Sequence, residues 1–129
     1  NGLAVEAVEA DVFDFLTELD KKKDHSYDYI VLDPPAFTKS GKTVHEAFRG
    51  YKEINYRAMK ILPRGGYLAT CSCSHFMGEE LFVKMLKEAA RDAGVTLRQI
   101  EFRQQAPDHP ILMTVPETYY LKFFLFQIV

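Results

Sequence analysis

The stretch "YDYIVLDPPAF", residues 27–37, decides the fold class, because an apolar run ends abruptly in a carboxylate and two prolines. Residues 30–32 are Ile, Val and Leu with no polar residue between them. This pattern predicts a strand over residues 27–33 that is buried on both faces. Strands of this kind are typical of parallel sheets covered by helices, and Asp33 would lie at the carboxyl end of such a strand.

The rest of the chain alternates between strand and helix patterns. Strands are predicted over residues 3–9, 27–33, 66–74, 95–104 and 118–129, and helices over residues 12–19, 44–62 and 78–94. This order predicts an α/β fold: a mostly parallel sheet, helices on both faces, and an antiparallel pair of strands at the carboxyl-terminal end.

Length and composition exclude several classes of protein. The chain has 129 residues, 47% hydrophobic and 26% charged, which is typical of one globular domain. Its net charge of −2 provides no overall attraction for a polyanion. No apolar run is long enough to span a membrane, and no signal-peptide pattern opens the sequence. We therefore expect a cytoplasmic protein without a membrane partner.

Chemically useful side chains follow two of the predicted strands. Ligands of open α/β sheets bind at the carboxyl ends of the strands, where Asp33 and Cys73 are expected. Pro34 and Pro35 remove two N–H donors and leave their carbonyls free to accept hydrogen bonds. The amino group of a nucleobase stacked on Phe37 would suit these acceptors. A rigid connection that carries a solvated aspartate explains the motif equally well.

The stretch "TCSCS", residues 70–74, contains both cysteines of the chain. Positions 71 and 73 of a strand rarely reach disulfide geometry, so both thiols are expected to be free. Alternation places them on one face with Cys73 nearer the loop, so Cys71 is the structural one. Cys73 could be a nucleophile or a small apolar residue. A Cys-x-Cys pair with scattered histidines is weak support for zinc, and no metal site is predicted.

Other polar residues could assist at this strand end. The hydroxyls of Ser72 and Ser74 could bind a substrate, and His75 or Lys39 could favour the thiolate of Cys73.

Two more candidates lie near the carboxyl terminus. His109 follows Asp108, which could orient its ring for acid–base chemistry, although such histidines often serve only a loop. Lys122 interrupts an apolar strand and could face a phosphate or extend to solvent at the sheet edge.

Four segments together resemble one family. They are "YDYIVLDPPAFTKS", "RGYKEINYRAMKILPRGGYLATCSCSHFM", "DHP" and "PETYYLK", in this order. The set is similar to the catalytic domain of the S-adenosylmethionine-dependent methyltransferases that make 5-methylcytosine in bacterial 23S ribosomal RNA. The similarity extends from about Asp11 onward. It implies part of the Rossmann-like class I methyltransferase fold, S-adenosylmethionine as cofactor and ribosomal RNA as substrate.

The resemblance also implies roles for individual residues. Cys73 would be the nucleophile that adds to carbon 6 of cytosine, so that carbon 5 can accept the methyl group. Asp33 and the prolines after it would hold the flipped cytosine, with Asp33 and Pro34 also at the cofactor, and Asp11 would contact the cofactor adenine. The remaining substrate-binding candidates are Pro35, Phe37, Ser72, Ser74, His109 and Lys122.

The chain also departs from the family. The glycine-rich cofactor loop, the acidic strand that binds ribose and the amino-terminal RNA-binding domain all precede the first residue in family members. Residues 1–129 are therefore expected to be the carboxyl-terminal portion of a catalytic domain, inactive alone. The strand at residues 29–33 would lack a neighbour on one side, which predicts that either residues 3–9 shift across to pair with it or a second copy covers the edge in a homodimer.

Two other functions stay open. Asp-Pro-Pro also occurs in amino-group methyltransferases, in which Cys73 would be merely structural. A non-enzymatic domain could instead bind a partner through the exposed sheet edge.

Overall fold

The computed structural model describes residues 2–38 and 40–129, and its regular elements follow the predicted alternation from residue 12 onward. The strands are β1 (Tyr29–Leu32), β2 (Tyr67–Ser72), β3 (Leu97–Arg103) and β4 (Lys122–Ile128). The helices are α1 (Val12–Lys22), α2 (Val44–Ile61) and α3 (Glu79–Ala93). Short 3-10 helices span Gly41–Thr43 and Pro116–Thr118. None of the described helices is both long and apolar enough to span a bilayer.

The four strands form one sheet in the order β1-β2-β4-β3. β1 pairs with β2 in parallel, and β4 is antiparallel to both β2 and β3. The predicted α/β class and the antiparallel β3–β4 pair are confirmed. The expectation of a mostly parallel sheet is wrong for the described residues, because β4 inserts between β2 and β3 and so makes two antiparallel pairs instead of one.

All three helices pack on one face of the sheet, so the prediction of helices on both faces is wrong for this part of the chain. The ring of Phe82 on α3 lies 5.6 Å from that of Tyr51 on α2 and 6.1 Å from that of Phe124 on β4. Leu16 and Leu19 of α1 join the same buried cluster. The core therefore lies between one helix layer and the sheet.

The opposite face of the sheet is open at β1. Val31 is 61% exposed, and the rings of Tyr29 and Tyr67 stack beside it with centroids 6.1 Å apart. The expectation that β1 is buried on both faces is therefore wrong, because the helices cover only its other side. Among the described residues, β1 pairs only with β2, so its outer edge is free.

The strand predicted over residues 3–9 is absent. Residues 2–10 have no regular structure, and Leu3 and Val5 are more than four-fifths exposed. Alternation alone does not form a strand, because the backbone groups of an extended segment need a neighbouring strand for their hydrogen bonds.

Local signals fix the ends of the helices. α1 begins after Asp11, whose Oδ1 accepts hydrogen bonds from the backbone N–H groups of Phe13 and Asp14, at 2.9 and 3.1 Å. It ends at Lys23 in the left-handed conformation, with φ of 52°. α3 ends at Gly94, where φ is 71°, a value that glycine adopts without steric cost.

Candidate active site

The carboxyl ends of β1 and β2 lie side by side. The two strands run parallel, with Leu32 opposite Thr70 in the register. Asp33 follows directly after β1, and Cys73 follows directly after β2. The structure therefore places these two sequence-predicted residues at one edge of the sheet, where ligands of α/β folds bind.

A groove of about 520 Å³ opens beside Asp33, between α1, β1 and α2. Its walls are apolar except for the Asp33 carboxylate. The lining residues are Val12, Phe13, Val31, Leu32, Asp33, Pro34, Pro35, Phe37 and Ile54. The groove brings together four residues predicted from the Asp-Pro-Pro stretch with the start of α1, and its volume is typical of a small-molecule site.

Asp11 caps the amino-terminal end of α1 at the margin of this groove. Its Oδ1 caps α1, and the next two residues, Val12 and Phe13, line the groove. The sequence reading placed Asp11 at the cofactor but missed the cap. An aspartate directly before an apolar helical pattern is the signal for such a cap.

The two cysteines have different surroundings. Cys71 lies within β2 and is 8% exposed, whereas Cys73 lies beyond the strand and is partly exposed. Burial, with the nearby negative charges of Asp33 and Cys73, raises the pKa of the Cys71 thiol to about 11. Both thiols are free. Cys73 is therefore the accessible thiol at the site, and Cys71 is protonated at neutral pH.

The serines on either side of Cys73 hold the turn in place. Ser72 Oγ donates to the phenol oxygen of Tyr51 at 3.1 Å, and Ser74 Oγ donates to the backbone carbonyl of Thr38 at 3.0 Å. Both serines are buried. Their predicted role as substrate ligands is therefore corrected: the hydroxyls are engaged inside the protein, and Ser74 ties the turn to the loop after Pro35.

Phe37 forms a wall of the groove instead of a free stacking surface. Its ring lies 4.6 Å from the ring of Tyr51 and 6.1 Å from that of Phe13. A Cβ atom at Gly50 would lie 3.3 Å from Phe37 Cδ2, so glycine allows the ring to lie close against α2. Pro35, by contrast, is exposed beside it.

Lys122 is buried, with 1% exposure, so neither predicted position, at a phosphate or extended to solvent, is correct. Its Nζ donates to the backbone carbonyls of Ser74 at 2.6 Å and Tyr120 at 2.7 Å. Burial lowers the pKa of Lys122 to about 8, opposed by the negative charges of Cys73 and Glu79. The burial of Lys122 was predictable from the sequence, because alternation along the strand places residue 122 on the same face as the buried Phe124.

The predicted histidines lie on exposed segments. His109 Nδ1 is 3.0 Å from the phenol oxygen of Tyr120, while its Nε2 is 3.9 Å from the carboxylate of Asp108. His75 Nδ1 is 3.5 Å from the backbone carbonyl of Tyr119. Lys39, the other residue expected to favour the thiolate, lies outside the described residues.

Tyr51 is a site residue that the sequence reading did not select. Its side chain is fully buried, and its phenol receives the hydrogen bond from Ser72. Burial raises the pKa of Tyr51, while the bond from Ser72 opposes the shift. The tyrosine lies on the apolar side of the predicted helix, so its burial could have been foreseen, but its polar partner could not.

The fold of the chain, with the parallel strand pair that ends at Asp33 and Cys73 and the antiparallel pairs beside it, matches solved structures. A SAM-dependent methyltransferase from Streptococcus mutans matches 92% of the chain and 29% of its own length, with a TM-score of 0.74 and 21% identity. A methyltransferase crystallised with SAH gives a TM-score of 0.75 at 20% identity, over 92% of the chain and 30% of its own length.

Sequence relatives agree with the fold. Proteins named ribosomal RNA large subunit methyltransferase I are 44% identical over 117 residues in Pseudoalteromonas atlantica and 42% identical over 120 residues in Vibrio vulnificus. These alignments cover 91% and 93% of this chain but 29% and 30% of the relatives, so the chain spans about three-tenths of their length. No family model matches the chain. The resemblance to ribosomal RNA methyltransferases seen in the motifs is confirmed: the chain is homologous to a segment of these proteins.

Proposed function

We propose that the chain forms the carboxyl-terminal part of the catalytic domain of an S-adenosylmethionine-dependent methyltransferase that modifies carbon 5 of cytosine in ribosomal RNA. The observation that carries this proposal is the 42% to 44% identity to large-subunit ribosomal RNA methyltransferases over about nine-tenths of the chain. Asp33 and Cys73, at the carboxyl ends of adjacent strands, supply the reactive groups that such a reaction needs. A ribosomal RNA substrate would place the protein in the cytoplasm.

The groove has the chemistry to hold the cofactor. Its apolar walls, with Val12 and Phe13 on one side and Pro34 on another, suit a flat adenine ring. The Asp33 carboxylate suits a positively charged amine. Asp11 would act here by fixing the start of α1, since its carboxylate caps the helix. S-adenosylmethionine, when bound, supplies an electrophilic methyl group on a sulfonium.

Cys73 would perform the covalent step. Its sulfur forms a bond to carbon 6 of cytosine, and the displaced ring electrons make carbon 5 nucleophilic enough to take the methyl group. A base then removes the carbon 5 proton, the electrons of the carbon–hydrogen bond restore the ring double bond, and the sulfur of Cys73 leaves carbon 6 as a thiolate. Asp33 and the Pro35 carbonyl would hold the amino edge of the flipped base beside Phe37. The hydrogen bonds of Ser72 and Ser74 support this role because they keep the turn, and thus the thiol, in one position.

Methyl transfer by the full-length protein, measured with Cys73→Ala beside the wild type, tests the proposal. Nucleoside mass spectrometry of the RNA should find 5-methylcytosine with the wild type and none with the variant. Methylation of an amino group that persists in the Cys73→Ala variant would instead show an amino-group methyltransferase, in which Cys73 is only structural. Absence of transfer with the folded wild type on ribosomal RNA would favour a binding domain.

The isolated chain of residues 1–129 should bind S-adenosylmethionine weakly and be inactive. The chain matches only about three-tenths of the length of its relatives. The glycine-rich and ribose-binding segments of the family are not among the motifs by which this chain resembles it. Several hydrogen bonds to the cofactor would thus be missing. Titration calorimetry checks this expectation, and micromolar affinity for the isolated chain would refute it.

We also propose that the isolated chain forms a homodimer through β1. Support comes from the outer edge of that strand, which pairs with no other strand in residues 2–38 and 40–129, and from the exposed side chains of Tyr29 and Val31. Such an edge readily pairs with another strand. The free edge of β1 is the same in each copy, so two copies could pair symmetrically.

A further inference from the structure

A second groove, of about 540 Å³, lies between the start of α2 and the facing side of α3, and we call it the helix groove. Phe48 and Leu81 form its apolar wall, where both side chains pack against the core and stay partly exposed. Lys42, His45 and Lys84 line the same groove and are exposed. The helix groove therefore combines an accessible aromatic ring with two ammonium groups and an imidazole.

Carboxylates do not neutralise the lysines of the helix groove. In the part of the chain that the structure describes, Lys42 and Lys84 form no salt bridge. Glu88 is the acidic residue of the lining, and its carboxylate lies 3.5 Å from Nζ of Lys52 on α2. Glu80, one turn before Lys84, lines a different groove. Because the whole chain has a net charge of −2, this excess of positive charge is a local feature.

Hydrogen bonds connect the helix groove to the turn that carries Cys73. Oγ1 of Thr43, at the start of α2, lies 2.7 Å from Oγ1 of the buried Thr38. The backbone carbonyl of Thr38 accepts the hydrogen bond from Ser74, the residue directly after Cys73. In chain order, α2 follows the strand end at Asp33 and α3 follows the strand end at Cys73. The helix groove therefore lies near the edge of the sheet that carries the candidate active site.

We propose that the helix groove binds a nucleotide that flanks the target cytosine, with its base stacked on Phe48 and its phosphate beside Lys42 and Lys84. This inference rests on the proposed function, in which a single-stranded stretch of ribosomal RNA is the substrate. Aromatic rings with neighbouring cations bind single strands in this way. Flipping a base breaks its stacking with its neighbours, and contacts to a flanking nucleotide offset part of that cost. An acidic peptide would match the charges but would leave the aromatic wall unused.

Fluorescence anisotropy of a short labelled single-stranded RNA, titrated with the full-length protein at several salt concentrations, tests the inference. Each phosphate contact of a lysine contributes about 0.7 to the slope of log K against log salt for a single strand. Lys42→Gln and Lys84→Gln should each reduce the slope by about 0.7, which means about fivefold weaker binding at about 0.1 M salt. Phe48→Leu should weaken binding about fivefold at an unchanged slope, because it removes stacking but no charge. Lys60→Gln, exposed near the other end of α2, is the matched control and should bind like the wild type.

Lysine variants of the helix groove that bind RNA as tightly as Lys60→Gln would overturn the inference. Circular dichroism checks that each variant folds, and Phe48→Tyr, which retains the ring, should bind like the wild type; a loss as large as that of Phe48→Leu would refute stacking. Competition by oligoglutamate as strong as by unlabelled RNA would identify an acidic protein partner instead of RNA.

The helix groove and the proposed function can fail separately. If the lysine variants weaken RNA binding but the wild type makes no 5-methylcytosine, the proposed function fails while the RNA site stands. If the wild type makes 5-methylcytosine and the lysine variants keep its KM for RNA, the helix groove is not part of the substrate site.

Discussion

The thiol of Cys71 should resist modification in the folded protein. Its pKa rises from an ordinary 9.0 to about 11, so at pH 8 its thiolate fraction falls about a hundredfold. With 8% exposure, access for a reagent is restricted as well. In a Cys73→Ala chain, which removes only the smallest of the three causes of the shift, iodoacetamide should therefore modify Cys71 about a hundredfold more slowly under native conditions than in urea. Mass spectrometry of quenched digests measures both rates.

The comparison with urea is the internal control, because the unfolded chain presents the same cysteine as an ordinary thiol. A second control is the Cys71→Ala chain, in which Cys73 should be modified under native conditions. Modification of native Cys71 within about tenfold of its rate in urea would refute both its burial and its raised pKa, and with them the assignment of Cys73 as the available thiol.

Three further predictions concern stability and association. Lys23→Gly should raise the free energy of unfolding by about 0.5–1 kcal/mol in urea titrations, because the residue has φ of 52° and glycine adopts this conformation without strain; unchanged or lower stability would contradict it. Between pH 9 and about 11, wild-type stability should fall relative to Cys71→Ala, because the folded state retains the thiol proton that the unfolded state loses; parallel curves would disprove the shift. Light scattering should find a dimer of the isolated chain and a monomer for Val31→Lys, whereas a wild-type monomer at every concentration would reject the edge interface.

The sequence predicted the elements better than their arrangement. Periodicity located α2 and β2 within a few residues, because the apolar pattern of α2 is long and Pro63, Gly65 and Gly66 separate it from β2. The prediction of a strand at residues 3–9 was wrong, because an extended segment forms a strand only when a strand from elsewhere in the chain lies beside it. The uninterrupted run Ile30-Val31-Leu32 indicated burial on both faces, yet only one face of β1 is covered by the described helices.

The sequence predicted the location of those site residues that lie at the end of a strand. Asp33 and Cys73 lie at adjacent strand ends because parallel strands bring their carboxyl ends to one edge. Ser72, Ser74 and Lys122 were assigned to a substrate because polar residues near a site suggest ligands. Their hydroxyls and ammonium instead bond to groups on distant elements, such as Tyr51, and sequence spacing does not reveal such partners.

Covalent trapping on RNA that contains 5-fluorocytosine tests the central claim most directly. Fluorine takes the place of the carbon 5 proton and cannot be removed by a base as a proton can, so a cysteine bonded to carbon 6 stays attached after methyl transfer. In the full-length protein with S-adenosylmethionine, we predict an RNA adduct on the peptide that contains Cys73, retained in Cys71→Ala and absent in Cys73→Ala. An adduct that forms in Cys73→Ala, or maps to another residue, would contradict the assignment of Cys73 as the nucleophile.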